Sequence, residues 1–132
     1  MNIKSSQDLV NEATKQIKTL NIGDIKKLTE KGEITLIDIR DVRELWKEGT
    51  LENAIHIPRG MLEFWLDPES SYYKERKIGK IKNIVLFCAL GMRSALATKT
   101  LQDMGYKNVS HVEGGFDTLK KSGFNIVEKK KK

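Results

Sequence analysis

Short apolar runs separated by helical segments constrain the fold of this chain more than any other feature. ITLIDIR (Ile34 to Arg40) is rich in β-branched residues and stays apolar until Asp38. That is the pattern of a strand buried on both faces whose C-terminal end meets solvent. NIVLFC (Asn83 to Cys88) is the most apolar run. AIHIP (Ala54 to Pro58) ends on a proline that cannot donate to a ladder, and NVSHVEGG supplies a last strand around Val109 and Val112. IKTL (Ile17 to Leu20) reads as a further short strand.

Helical spacing fills the intervals. SSQDLVNEATKQI sets Ser5 and Asp8 in capping-box spacing and places Leu9, Ala13 and Ile17 on one face with Val10 beside them. Asn21 caps a second helix that turns Ile22, Ile25 and Leu28 inward and stops at Gly32. A short helix from Asp41 to about Lys47 ends at Gly49, and Met61, Leu62 and Trp65 mark another. DPESSYYKERKIGK reads as loop with one turn of helix at most. Ala97, Leu101 and Met104 line a helix that Gly105 stops, and Phe116 to Lys121 forms the last one. Strands alternating with helices imply βα units, hence an α/β fold with a mainly parallel sheet covered on both faces.

The 132 residues, 39% of them hydrophobic, suffice for one domain with a genuine core. The organisation read from the sequence is an N-terminal extension helix at 1–16, one folded domain at 17–126 and a lysine-rich tail at 127–132. Lys129 to Lys132 supply four of the six net positive charges and leave +2 for the rest. The basic balance is therefore read as a solvated tail, with no nucleic-acid partner expected. The start lacks the apolar core of a secretory signal, and no run approaches the ~20 apolar residues of a membrane span. A cytoplasmic protein without a membrane partner is the expectation.

The single cysteine, Cys88, cannot form an internal disulfide. It stands at the carboxyl end of a parallel strand, where open α/β sheets bind ligands. Ala89, Leu90, Gly91 and Met92 then bridge to a helix that starts near Arg93. A tight loop entering a helix turns backbone N–H groups inward, and these favour a thiolate over a thiol and cradle an anion. Arg93 adds a fixed charge that could bind an oxyanion or fasten the loop to a carboxylate. Nucleophilic thiol chemistry is one reading of these residues; a buried structural cysteine is the other.

CALGMRS, with Cys88, Gly91, Arg93 and Ser94, resembles the C-x-x-G-x-R-S active-site loop of rhodanese domains. LIDIRDVRELWKEGTLENAIHIPRG (36–60) is similar to that family's first motif, and MGYKNVSHVEGGF (104–116) to its closing strand and double glycine. The match runs from about Ile17 to Phe124. The resemblance implies a rhodanese-like fold: five mainly parallel strands flanked by helices, with the catalytic cysteine after the fourth. It also implies a double displacement, in which Cys88 takes the outer sulfur of a donor as a persulfide and passes it to a thiol or cyanide acceptor. No metal or organic cofactor is implied. The donor would be thiosulfate, a polysulfide or a persulfide, and the acceptor a thiol that could belong to a protein.

The related dual-specificity phosphatases carry a loop one residue longer, C-x-x-x-x-x-R. Here the arginine arrives one position early, and Ser94 stands in the phosphatase position. Loop length thus argues for sulfur transfer over a phosphatase or arsenate reductase on the same scaffold. The intact Cys88 and Arg93 argue against a non-catalytic binding module. Ala89 and Leu90 replace the basic residues common in thiosulfate-using relatives, and apolar Leu90 and Met92 are expected to frame the entrance. Asp38 is expected to fix the loops around Cys88, while Arg40, Glu44 and Arg59 line the pocket mouth, with Glu44 or Asp38 as partner of Arg93. His56 and His111 are read as hydrogen-bonded sheet histidines. A monomer and a homodimer are both compatible with these residues.

Overall fold

In the computed structural model, which describes residues 2–73 and 83–131, five parallel strands form one sheet. These are β1 (Lys18–Leu20), β2 (Ile34–Asp38), β4 (Ile55–His56), β5 (Asn83–Phe87) and β6 (Val109–Val112), in the order β1-β6-β5-β2-β4. The central strands alternate strictly. Ile84 and Leu86 of β5 join Ile37, Ile57 and Val109 on one face, while Val85 and Phe87 join Leu36, Val112 and Phe116 on the other. Both faces are therefore covered by apolar layers, and each fully buried aliphatic or aromatic side chain contributes roughly 1.5–3 kcal/mol.

The helices are α1 (Ser6–Gln16), α2 (Ile22–Glu30), α3 (Val42–Glu48), α4 (Leu62–Leu66, preceded by a 3-10 turn at Arg59–Met61), α5 (Met92–Met104) and α6 (Gly115–Lys121). Asn21 and Asp41 close reciprocal capping boxes with Asp24 and Glu44. At α1 only half of that motif forms, Ser5 accepting from the Asp8 N–H. α1 packs against α5, with Ala13 buried and Val10 half-buried, while Ile17 lies past the helix end in extended backbone. Leu9, expected on the inward face, is 44% exposed, and small Ala13 is the buried residue of the helix. Met104 is also turned out, at 41% exposure, since it occupies the last turn of α5 beyond the buried Ala97 and Leu101.

The AIHIP strand is shorter than expected, although Ile57 N–H to Asp38 O and Arg59 N–H to Ile39 O, both 3.0 Å, continue its backbone bonds. A second, two-stranded sheet has no counterpart in the sequence reading: β3 (Thr50–Leu51) runs antiparallel to β7 (Ile126–Val127). Gly49 permits it, since a Cβ there would sit 2.5 Å from the Val127 carbonyl oxygen. The later part of DPESSYYKERKIGK lies outside the described residues, and its earlier part, Asp67 to Tyr73, is turn.

Candidate active site

Cys88 continues the alternation of β5, so Ile84, Leu86 and Cys88 share one face. That parity directs the sulfur toward the start of α5. Its Sγ accepts from the backbone N–H of Gly91 at 3.2 Å and of Ser94 at 3.3 Å. Gly91 reaches this turn with φ 103°, a conformation that L side chains rarely adopt. Cys88 itself is only 1% exposed.

The loop is held from behind by α6. Phe116 N–H donates to the Cys88 carbonyl at 2.7 Å and Asp117 N–H to the Ala89 carbonyl at 3.2 Å. Because a trans peptide points its C=O and N–H in opposite directions, the Ala89 and Leu90 N–H groups face away from α6. The double glycine makes this approach possible. A Cβ on Gly115, at φ 62°, would lie 2.4 Å from the Cys88 oxygen and 2.8 Å from the Ala89 oxygen. Gly115→Ala is expected to cost about 3 kcal/mol and to displace the loop. Gly123→Ala, at φ 86° with open space around it, should cost only about 1 kcal/mol. Denaturant unfolding of the two variants checks the difference.

Arg93 makes a bidentate ion pair with Glu44 of α3, at 2.7 and 3.0 Å. Of the partners expected, Glu44 takes the guanidinium and Asp38 does not. The hydrogen bonds that Arg93 donates hold the Glu44 carboxyl below the usual carboxylate range, and the same bonds raise Arg93 further. The fork is thus committed to fastening the loop. Ala89 is half-buried, whereas Leu90 and Met92 are 63% and 49% exposed and present an apolar rim.

Asp38 and Arg40 depart from their expected places. Asp38 accepts from the Arg40 guanidinium at 2.8 and 3.0 Å and from Thr50 Oγ1 at 2.7 Å, so its bonds run toward β3 and not to the Cys88 loop. Arg40 is fully buried and does not line a mouth; its Nη2 donates to the Gly49 carbonyl at 2.7 Å and its guanidinium lies 3.9 Å over the Phe116 ring. The reason is parity: residues two apart on extended chain share a face, so the side chain folds back onto Asp38. Arg59 pairs with Glu63 at 2.6 Å and reaches Thr100, two turns along α5 from Arg93 and roughly 10 Å up its axis. It is not brought to the loop.

Three side chains to which the sequence reading gives no role at the sulfur lie behind it, Ser94 of the loop motif among them. Ser94 Oγ is 3.5 Å from Cys88 Sγ and 2.9 Å from His111 Nδ1, and His111 Nε2 is 3.0 Å from Thr19 Oγ1. His56 is likewise hydrogen-bonded, its Nε2 donating to the Arg40 carbonyl at 2.7 Å. Burial pushes His111 down to about 4, so the native imidazole stays neutral where an unfolded one, near 6.5, becomes charged. Between those values the unfolded state binds the extra proton, and stability falls as pH falls. The loss expected from this group across that window is up to about 3 kcal/mol. Urea unfolding of wild type and His111→Gln at several pH values should show a steeper acid decline in wild type.

The rhodanese-like domain profile matches residues 21–122. The chain belongs to the rhodanese-like family. A solved structure from Rhodopseudomonas palustris CGA009, a protein of unknown function described as a possible tyrosine phosphatase, is 40% identical with a TM-score of 0.88, covering 96% of this chain and 97% of that one. The polysulfide-sulfur transferase homodimer of Wolinella succinogenes is 34% identical, with a TM-score of 0.73 over 93% of this chain and 87% of that one. YtwF of Bacillus subtilis (strain 168), provisionally named a sulfurtransferase, is 36% identical over 76% of this chain and 87% of its own length. The tRNA uridine(34) hydroxylase of Prochlorococcus marinus (strain MIT 9312) is 36% identical over 67% of this chain, which spans only 29% of that protein. The five-stranded parallel rhodanese-like fold and its order of motifs thus stand as the sequence implies. Among the described residues no helix is long and apolar enough to cross a membrane.

Proposed function

We propose that this protein is a sulfurtransferase that carries sulfane sulfur on Cys88. The Cys88 thiolate attacks the outer sulfur of a donor, the sulfur–sulfur bond of the donor breaks, and its remainder leaves with the electron pair. A thiol or cyanide acceptor then takes the outer sulfur from the Cys88 persulfide and restores the thiolate. The observation that carries this reading is the short cradle, in which Sγ receives two backbone N–H groups inside a loop with four residues between Cys88 and Arg93. A tyrosine phosphatase reading, suggested by the Rhodopseudomonas relative, needs an arginine free to bind the phosphoryl oxygens; here that group is held by Glu44.

The donor we infer is a polysulfide or a persulfide in preference to thiosulfate. Thiosulfate is a dianion that must lose water on entry, and with Arg93 neutralised and Leu90 and Met92 on the rim little charge meets it. A sulfur chain is narrow enough to reach a buried thiol and contacts an apolar rim favourably. Leu90→Lys is expected to raise kcat/KM for thiosulfate by roughly 5- to 30-fold, equivalent to about 1–2 kcal/mol, and to help polysulfide less. Steady-state rates on both donors check this; higher wild-type efficiency with thiosulfate would contradict it. A lone free thiol suits work in the cytoplasm, with a small thiol or a protein thiol as acceptor.

A further inference from the structure

Cys88 is 1% exposed, Ser94 0% and His111 4%, whereas Thr19 on the edge strand β1 is exposed. The four polar groups form an unbroken file from the buried sulfur to the surface: Sγ to Ser94 Oγ at 3.5 Å, Oγ to Nδ1 at 2.9 Å, and Nε2 to Thr19 Oγ1 at 3.0 Å. The fold builds it deliberately from separate elements. Thr19 and His111 are register partners across β1 and β6, so their side chains share a face, and Ser94 meets them from the first turn of α5.

A neutral imidazole has one donor and one acceptor nitrogen, and each hydroxyl can do either. The file can therefore be polarised in two ways. With Cys88 a thiol, S–H donates to Ser94 Oγ, Ser94 O–H to Nδ1, and Nε2–H to Thr19 Oγ1. With Cys88 a thiolate, every donor must turn round: Thr19 O–H to Nε2, Nδ1–H to Ser94 Oγ, and Ser94 O–H to Sγ. We propose that Thr19, His111 and Ser94 are a hydrogen-bond relay whose polarity reverses as Cys88 ionises, the imidazole exchanging one neutral tautomer for the other.

The step balances. The sulfur's proton passes to Ser94 Oγ, the Ser94 proton to Nδ1, the Nε2 proton to Thr19 Oγ1, and the Thr19 proton to water at the strand edge. Nothing is oxidised, and the one charge left in the interior is on sulfur. The reversed file then gives that sulfur a third donor beside the Gly91 and Ser94 N–H groups. In the thiol state the Ser94 hydroxyl has a further acceptor within reach, the Gly91 carbonyl at 3.3 Å. Burial, which keeps His111 neutral, preserves the donor–acceptor pair that the relay needs. His111 and Thr19 are thus positioning residues that act on Cys88 through Ser94.

This inference rests on the nucleophilic role proposed for Cys88, but its test needs no sulfur donor. In 15N-labelled protein titrated from about pH 6 to about pH 10, the His111 nitrogens are expected to exchange donor and acceptor character at the midpoint at which Cys88 ionises. That midpoint is read independently from thiolate absorbance, taken against Cys88→Ser. In Cys88→Ser the exchange should vanish. Arg93, which interacts with the Cys88 charge, and its partner Glu44 are unaltered in either protein. His111→Leu, which removes the donor to Ser94, should slow alkylation of Cys88 by iodoacetamide at neutral pH about tenfold, while His111→Gln, which can still donate, should stay within about threefold of wild type. A His111 tautomer that stays constant while Cys88 ionises, or a Cys88 that does not ionise in this range, would overturn the relay. Failure to turn over any sulfur donor would instead remove the proposed function and leave the titration result standing.

Discussion

Cys88→Ser is expected to abolish thiocyanate formation from any sulfur donor and cyanide, a loss of about three orders of magnitude or more. The serine oxygen can still accept from Gly91 and Ser94 N–H, so the loop geometry survives. What is lost is a sulfur nucleophile that can hold a second sulfur. Stability should change by about 1 kcal/mol at most, because the substitution leaves packing nearly untouched. Thermal unfolding together with the cyanide assay separates the two effects, and a serine protein that still formed thiocyanate would remove Cys88 from the mechanism.

The largest stability effect is expected at Asp38. Its carboxylate neutralises Arg40, and both are fully buried. Asp38→Asn leaves a guanidinium in the interior whose Nη1 already has no hydrogen-bond partner among the described residues. Breaking a buried pair from one side costs about 3–5 kcal/mol, which in a domain of this size lowers Tm by roughly 10 °C or more. Removing both partners as Asp38→Leu with Arg40→Met takes away the orphaned charge along with its partner, so the double variant should be more stable than the single one. Differential scanning calorimetry of the three proteins decides. Equal stability of Asp38→Asn and wild type would show that this pair does not hold the β2–β3 junction.

Much of this architecture is legible in the sequence because it is local. The polarity change at Asp38, the apolar run ending at Cys88, and glycines at 32, 49, 91 and 105 each follow from a strand or helix end reached within a few residues. The sulfur's cradle is legible for the same reason, since Cys88, Gly91 and Ser94 are neighbours in the chain. The β3–β7 pairing is not, because two residues on each side carry no periodicity. Arg40 misleads in another way: an arginine after a strand suggests solvent, and only the convergence of Thr50 and Gly49 shows that the space around it is closed. The file behind Cys88 joins residues 17 and 92 positions apart in its two outer links, so no local pattern announces it. One signal is present: His111 stands between Val109 and Val112 on a strand whose residues are all buried, and a buried histidine demands partners.

The central claim is that Cys88 carries sulfur, and the mass of the intact protein tests it most directly. Reduced protein is incubated with polysulfide or with thiosulfate, freed of reagent, and weighed beside Cys88→Ser treated alike. The expected result is a gain of one sulfur atom in wild type, fuller with polysulfide, reversed by cyanide or dithiothreitol and absent from the serine variant. A wild-type mass that does not change with either donor, or a gain that the serine variant shares, would contradict it.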